Sequence, residues 1–174
     1  LDSPNEWVVE QGRIYLWPAD GRSPEGRVWA APQAVAIDAR GSHEVRLENL
    51  KIFLATRGID GSDSRALSVI DTQISNSGEE ALLLGGSGAR ISRVHVMGSQ
   101  QHGIRAEDNA TDTRITDSVI DDAGMLGMPR RSKGAIVFEQ ASGQFIARNR
   151  IRRAAYIGIR VFRDATVEDN HISR

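Results

Sequence analysis

The chain has 174 residues, with 22 basic against 23 acidic side chains for a formal net charge of -1, 40% apolar, 26% charged and 5% aromatic residues, and no cysteine. That length fits one domain of ordinary size, and the balanced charge argues against a nucleic-acid binder driven by bulk electrostatics. The missing cysteines exclude disulfide scaffolds, zinc-thiolate sites and cysteine nucleophiles, and no stretch approaches the roughly 18 to 20 consecutive apolar residues of a transmembrane helix. Neither nucleic acid nor membrane is expected as a partner.

From the start, Leu1 opens without a basic-then-apolar leader, so the numbering reads as beginning inside a longer chain. Residues 1–32 lack the periodicity of the rest of the chain and hold all three tryptophans, Trp7, Trp17 and Trp29. Within them, Glu6-Trp7-Val8-Val9 and Arg13-Ile14-Tyr15-Leu16-Trp17-Pro18, joined at Gln11-Gly12, predict a β-hairpin. A two-stranded ribbon is marginal alone, so this extension is expected to pack on the remainder of the chain.

That remainder is repetitive. Leu47-Glu48-Asn49-Leu50-Lys51-Ile52 recurs as Val69-Ile70-Asp71-Thr72-Gln73-Ile74, Ile91-Ser92-Arg93-Val94-His95-Val96, Ile115-Thr116-Asp117-Ser118-Val119-Ile120, Ile146-Ala147-Arg148-Asn149-Arg150-Ile151 and Val167-Glu168-Asp169-Asn170-His171-Ile172. Successive copies are 22, 22, 24, 31 and 21 residues apart, and the first and last positions are aliphatic in all six. Eleven of those twelve residues are Val or Ile, which suit strands. Between copies stand Gly58-Ile59-Asp60, Ala81-Leu82-Leu83-Leu84, Gly103-Ile104-Arg105-Ala106, Gly134-Ala135-Ile136-Val137 and Gly158-Ile159-Arg160-Val161, each a small residue followed by apolar alternation.

Each repeat thus predicts a strand led by Gly or Ala, a bend, and two short strands around a polar corner such as Asn49, Asp71 or Asp117, where Asn and Asp tolerate left-handed backbone. That is one coil of a parallel β-helix, and residues 33–174 predict an all-β solenoid of about six coils. A leucine-rich repeat would need Leu where this chain has Ile and Val, and an antiparallel sandwich would need hairpin dipeptides recurring with the period. The interval of 31 carries about nine extra residues, expected as a projecting loop over Asp121 to Lys133 that includes Arg130-Arg131-Ser132-Lys133. Gly85-Gly86-Ser87-Gly88 lacks the Gly-Lys-Ser/Thr and the helix of a phosphate loop and reads as a turn. The last copy reaches Arg174 without a capping element, so further coils or an oligomer are expected to cover the open end.

The opening Leu1-Asp2-Ser3-Pro4-Asn5-Glu6-Trp7, followed by Gly12-Arg13-Ile14-Tyr15-Leu16-Trp17-Pro18 and then by coils, resembles a segment of bacterial right-handed parallel β-helix proteins of the pectate-lyase-like superfamily. There a similar hairpin precedes or interrupts the coils of polysaccharide lyases and glycoside hydrolases. The hairpin match covers about 20 residues and departs at Asn5, where the family has Gly, while the coil match over 34–174 is generic. The resemblance implies a right-handed β-helix, a carbohydrate-active protein, and an extracellular or periplasmic location. It supplies no active-site motif to carry over.

The outward positions of the Gly-led strands read Asp60, Leu83, Arg105, Val137 and Arg160 from coil to coil, with Glu107 and Glu139 one pleat further. A long, shallow polar stripe of this kind suits an extended polysaccharide or oligosaccharide. Glu107 and Glu139 offer a carboxyl pair for glycoside hydrolysis. Alternatively, Arg105 and Arg160 neutralise a uronate while His102 or Lys133 removes the adjacent proton. Arg130, Arg131, Lys133 and Asp60 are candidate substrate contacts. The competing reading is a ladder of ion pairs on a solvated face. His95 and His171 share a repeat position beside Lys51, Gln73 and Arg150 and read as surface residues, and His43 reads as a loop residue. No cofactor is expected: Glu107, Asp108 and Asp112 offer oxygen ligands for calcium without any fixed metal-binding spacing. Two functions remain open, a polysaccharide lyase or hydrolase and a non-catalytic β-helix segment that binds or extends a larger protein.

Overall fold

Branched aliphatic residues at both ends of each six-residue segment form strands, and the polar pair between them forms the corner. The computed structural model describes residues 1–4, 6–11, 13–28, 34–125 and 133–174, which contain twenty strands and no helix. Two compact units emerge, 1–30 and 31–174. In the first, β1 (Trp7–Glu10) and β2 (Arg13–Leu16) pair antiparallel, Trp7 opposite Leu16, with Gln11 at φ 49° in the turn. The second strand stops at Leu16, short of Pro18, which has no N–H to give a ladder.

The second unit is a three-sheet parallel solenoid. Sheet one stacks β4 (Arg46–Glu48), β7 (Ser68–Ile70), β10 (Arg90–Ser92), β13 (Arg114–Thr116), β16 (Phe145–Ala147) and β19 (Thr166–Glu168). Sheet two stacks β5 (Lys51–Ala55), β8 (Gln73–Ser77), β11 (His95–Ser99), β14 (Val119–Ala123), β17 (Arg150–Arg152) and β20 (His171–Ser173). Sheet three stacks β3 (Val35–Asp38), β6 (Arg57–Gly61), β9 (Glu80–Leu84), β12 (His102–Ala106), β15 (Gly134–Phe138) and β18 (Ile157–Arg160). Successive coils cross all three sheets, and their strands pair parallel and in register.

The aliphatic positions meet inside the tube. Val69, Ile91, Ile115 and Ile146 form one buried column, Ile74, Val96, Ile120 and Ile151 a second, and Ile59, Leu82, Ile104 and Ile136 a third, with Phe138 the largest fully buried side chain. Burying each such side chain is worth about 1.5–3 kcal/mol. Gly58 and Gly103, the second residues of β6 and β12, are glycines because the space beside them is filled: a Cβ would lie 2.6 Å from Ile74 Cγ2 or 2.7 Å from Ile120 Cγ2.

The bends have one backbone solution. Between sheets one and two, Asn49, Asp71, Arg93, Asp117, Arg148 and Asp169 all take left-handed φ values of 48–56°, which Asn and Asp tolerate best. Charge alternates along this corner. Arg93 donates Nε and Nη2 to Asp71 at 2.7 Å each, and Arg148 donates to Asp117 at 2.7 and 2.9 Å.

Just inside the same corner runs a satisfied amide ladder. Asn149 Nδ2 donates to Ile115 O and to Asn170 Oδ1, both at 2.9 Å, while Asn149 Oδ1 accepts the Ser118 N–H at 3.0 Å. Asn170 Nδ2 continues to Ile146 O at 2.8 Å, and Ser118 Oγ accepts the Val94 N–H at 3.1 Å. Asn149 is buried, so its removal strands a backbone donor and a backbone acceptor away from water. Asn149→Ala is expected to cost about 2–4 kcal/mol in urea unfolding; a loss below about 0.5 kcal/mol would show that the ladder is not a stabilising element.

Candidate functional site

The outer face of sheet three carries the stripe in the predicted register. Asp60 pairs with Leu83, Leu83 with Arg105, Arg105 with Val137, and Val137 with Arg160. Its solvent exposure differs from the expectation. Asp60, Leu83 and Val137 are buried, at 3%, 4% and 0% exposed. Outward residues one coil spacing apart, about 4.8 Å, shade one another when long side chains lie among them. Arg57, Arg105 and their partners do so here.

Arg57, the first residue of β6, reaches three carboxylates: Asp60 at 2.7 Å, Glu79 at 2.9 Å and Glu80 at 3.1 Å. Asp60 Oδ1 also accepts the Ser62 hydroxyl at 2.7 Å and the Ser62 N–H at 3.1 Å. Glu80, the first residue of β9, pairs across the ladder with His102, the first residue of β12. Its Oε1 lies 3.4 Å from His102 Nδ1 and 3.7 Å from Arg105 Nη1. Burial pushes the Glu80 carboxyl up, but His102 and the Arg57 guanidinium outweigh it and hold the pKa down at about 2.

That value decides Glu80's role. A carboxyl with pKa about 2 is ionised at neutral pH and lies too far from the working pH to shuttle protons well, so Glu80 fixes charge and geometry. Sequence reasoning finds Asp60, His102 and Arg105 but misses Arg57, Glu79 and Glu80. The available signal is position, because Arg57, Glu80 and His102 each stand directly before a small residue, Gly58, Ala81 or Gly103, at a shared place in the repeat.

Two adjoining hollows lie at the far edge of the sheet. Arg105, Glu107, Asp108, Asn109 and Glu139 line one of about 360 Å³. Glu139 and Arg160 line another of about 280 Å³ with Phe138, Gln140, Val161 and Phe162. Glu107 and Glu139 directly follow the paired residues Ala106 and Phe138 and so occupy neighbouring places in one column. Gly85 is what lets the Glu107 carboxylate lean toward the preceding coil, since a Cβ there would lie 2.7 Å from Glu107 Oε2.

The two ends of the predicted loop, Asp121 to Ala123 and Lys133, depart from the expectation. Asp121 and Ala123 pair with Met97 and Ser99, so sheet two continues through Ala123. Asp121 is buried and held by Arg152 at 2.7 and 2.5 Å, with His95 Nε2 at 3.3 Å. Lys133 is buried, immediately before β15, and does not project as predicted. Arg130 and Arg131 lie outside the described residues. Asp112 sits at a left-handed corner with φ 52°, and among the described residues no group of three or more His, Asp or Glu is placed to hold a metal.

Because the folded pKa of Glu80 lies below its ordinary 4.5, its contribution to stability is full above about pH 4.5 and is lost as pH falls toward about 2. Glu80→Gln is expected to destabilise the fold by about 3 kcal/mol at pH 7. It should also flatten the loss of stability between pH 4.5 and 2 in acid-unfolding curves; an unchanged acid limb would show that another group controls it.

Residues 57–174, well over half of the chain, match the family model described as a right-handed β-helix region. No curated protein and no solved structure matches the chain. Register-matched parallel coils and this match together establish that the chain belongs to the right-handed β-helix family.

Proposed function

We propose that the chain is a carbohydrate-active β-helix protein that receives an extended polysaccharide across the outer face of sheet three and cleaves it with Glu107 and Glu139. One observation carries the reading. Several columns pair ionisable residues of opposite sign, as in Asp71 with Arg93, Asp117 with Arg148, Asp121 with Arg152 and Asp122 with Arg153, while Asp38 stands opposite Asp60 and Arg90 opposite Arg114. Glu107 and Glu139 place two carboxylates on the lining of one hollow. Like charges stacked across a sheet are destabilising, whereas glycoside hydrolysis requires such a pair, one acting as acid and one as nucleophile or base. Arg105 and Arg160, lining the two hollows, serve as hydrogen-bond donors to the sugar chain. Substrates of this class place the protein outside the cytoplasm, in the periplasm or medium.

Proton abstraction by His102 or Lys133 next to a uronate is less well supported, because both side chains are buried. A non-catalytic binding role is favoured by a different feature: Arg57, Asp60, Glu79, Glu80 and Arg105 largely engage one another. Incubation with neutral and uronic-acid polysaccharides, following reducing ends and unsaturated products separately, distinguishes these outcomes. Hydrolysis yields reducing ends alone. Glu107→Gln and Glu139→Gln should each lower their release by about 100-fold or more with an unchanged circular dichroism spectrum. Turnover equal to the parent's removes the pair from the mechanism.

A further inference from the structure

A larger hollow, of about 460 Å³, lies away from sheet three, where the corner between sheets one and two passes through three successive coils. Its wall is a register-matched row at the start of sheet two, Lys51 opposite Gln73 and Gln73 opposite His95. Its rim is the corner itself, with Asn49, Asp71 and Arg93.

The charges here nearly cancel. Asp71 is gripped by Arg93 through two hydrogen bonds of 2.7 Å, and nearby Glu48 is engaged by Arg46 at 2.8 Å. His95 is held from beneath by the buried Asp121 carboxylate at 3.3 Å, which Arg152 clamps in turn. Lys51 is left as a cation with no ion-pair partner among the described residues, facing the hollow beside the carboxamides of Asn49 and Gln73.

We propose that this hollow is a second saccharide site that takes a carboxylate-bearing sugar. The Lys51 ammonium meets the carboxylate, and Asn49 and Gln73 exchange hydrogen bonds with ring hydroxyls. A single ammonium flanked by amides matches one monoanionic group set among hydroxyls; Arg93 and His95 also line the hollow but are engaged by Asp71 and Asp121, which leaves fewer open donors than a phosphate or sulfate ester recruits. The row also suits a chain of rings, because a polar side chain, Lys51, Gln73 and then His95, recurs every coil, about 4.8 Å apart. His95, fixed by Asp121, closes the far end. The site is on a different sheet from Glu107 and Glu139 and stands whether or not that pair is catalytic.

Titration calorimetry tests it on the Glu107→Gln/Glu139→Gln double variant, in which cleavage on sheet three is disabled. The ligands are trisaccharides of galacturonate, glucuronate, mannuronate and guluronate, with a neutral and a sulfated trisaccharide and inorganic phosphate as comparisons. At least one uronate is expected to bind, roughly tenfold or more tighter than the neutral sugar. Adding Lys51→Gln should remove that advantage, and Lys51→Arg should restore most of it. Absence of binding by all four uronates overturns the proposal. So does equal binding of the neutral sugar, stronger binding of the sulfated sugar or phosphate, or a Lys51→Gln variant that binds as the parent does. Failure of the hydrolysis assay leaves each of these readouts unaffected.

Discussion

Stacking at the interstrand spacing makes the residues at the same position one coil before and after the nearest neighbours of any side chain, about 4.8 Å away. Inside the tube this constraint demands shape: Val, Ile and Leu recur because columns of branched side chains fill the interior continuously. At the bends it demands one backbone conformation repeated coil after coil, hence the left-handed series from Asn49 to Asp169. On the outside it favours charge complementarity, since like charges one coil apart repel, although Asp38 stacks on Asp60 and Arg90 on Arg114. The order Asp71, Arg93, Asp117, Arg148, Asp169 along a single corner obeys that preference with strict alternation.

The same rule organises sheet three. Arg57, Glu80 and His102 occupy one column in the order cation, anion, imidazole, and Arg57 also spans to Asp60 and Glu79, so the acids there are compensated from both sides. Such a network is held in place by mutual attraction at low exposure, which suits it to shaping a surface and unsuits it to exchanging protons. Asp38 opposite Asp60 departs from the rule, and so do Glu107 and Glu139 at the sheet's edge, where the wall opens into hollows. Departures from local electrostatic consistency are where chemistry is most reasonably sought.

Much of this is legible in the linear chain. Periodicity alone predicts six coils, three strands per coil, polar left-handed corners and the register of Asp60, Leu83, Arg105, Val137 and Arg160, because strand direction and a constant six-residue segment leave the pairing no freedom. The Asn149–Asn170 ladder is visible there only as two asparagines at a shared repeat position, since satisfaction of buried amides depends on carbonyls contributed by other coils. The predicted loop begins too early at Asp121, because its acidic pair looks like loop composition, whereas Arg152 one coil on neutralises Asp121 and keeps it within sheet two.

Recurrence along the chain is enough to assign residues to columns, because in a parallel solenoid a repeated position translates directly into stacking. Which outward residues are hidden and which stay open is set in three dimensions alone. That outcome depends on how far long side chains reach across columns: Arg57 spans three acids and Asp60 is buried, while Lys51, with no ion-pair partner among the described residues, faces a hollow.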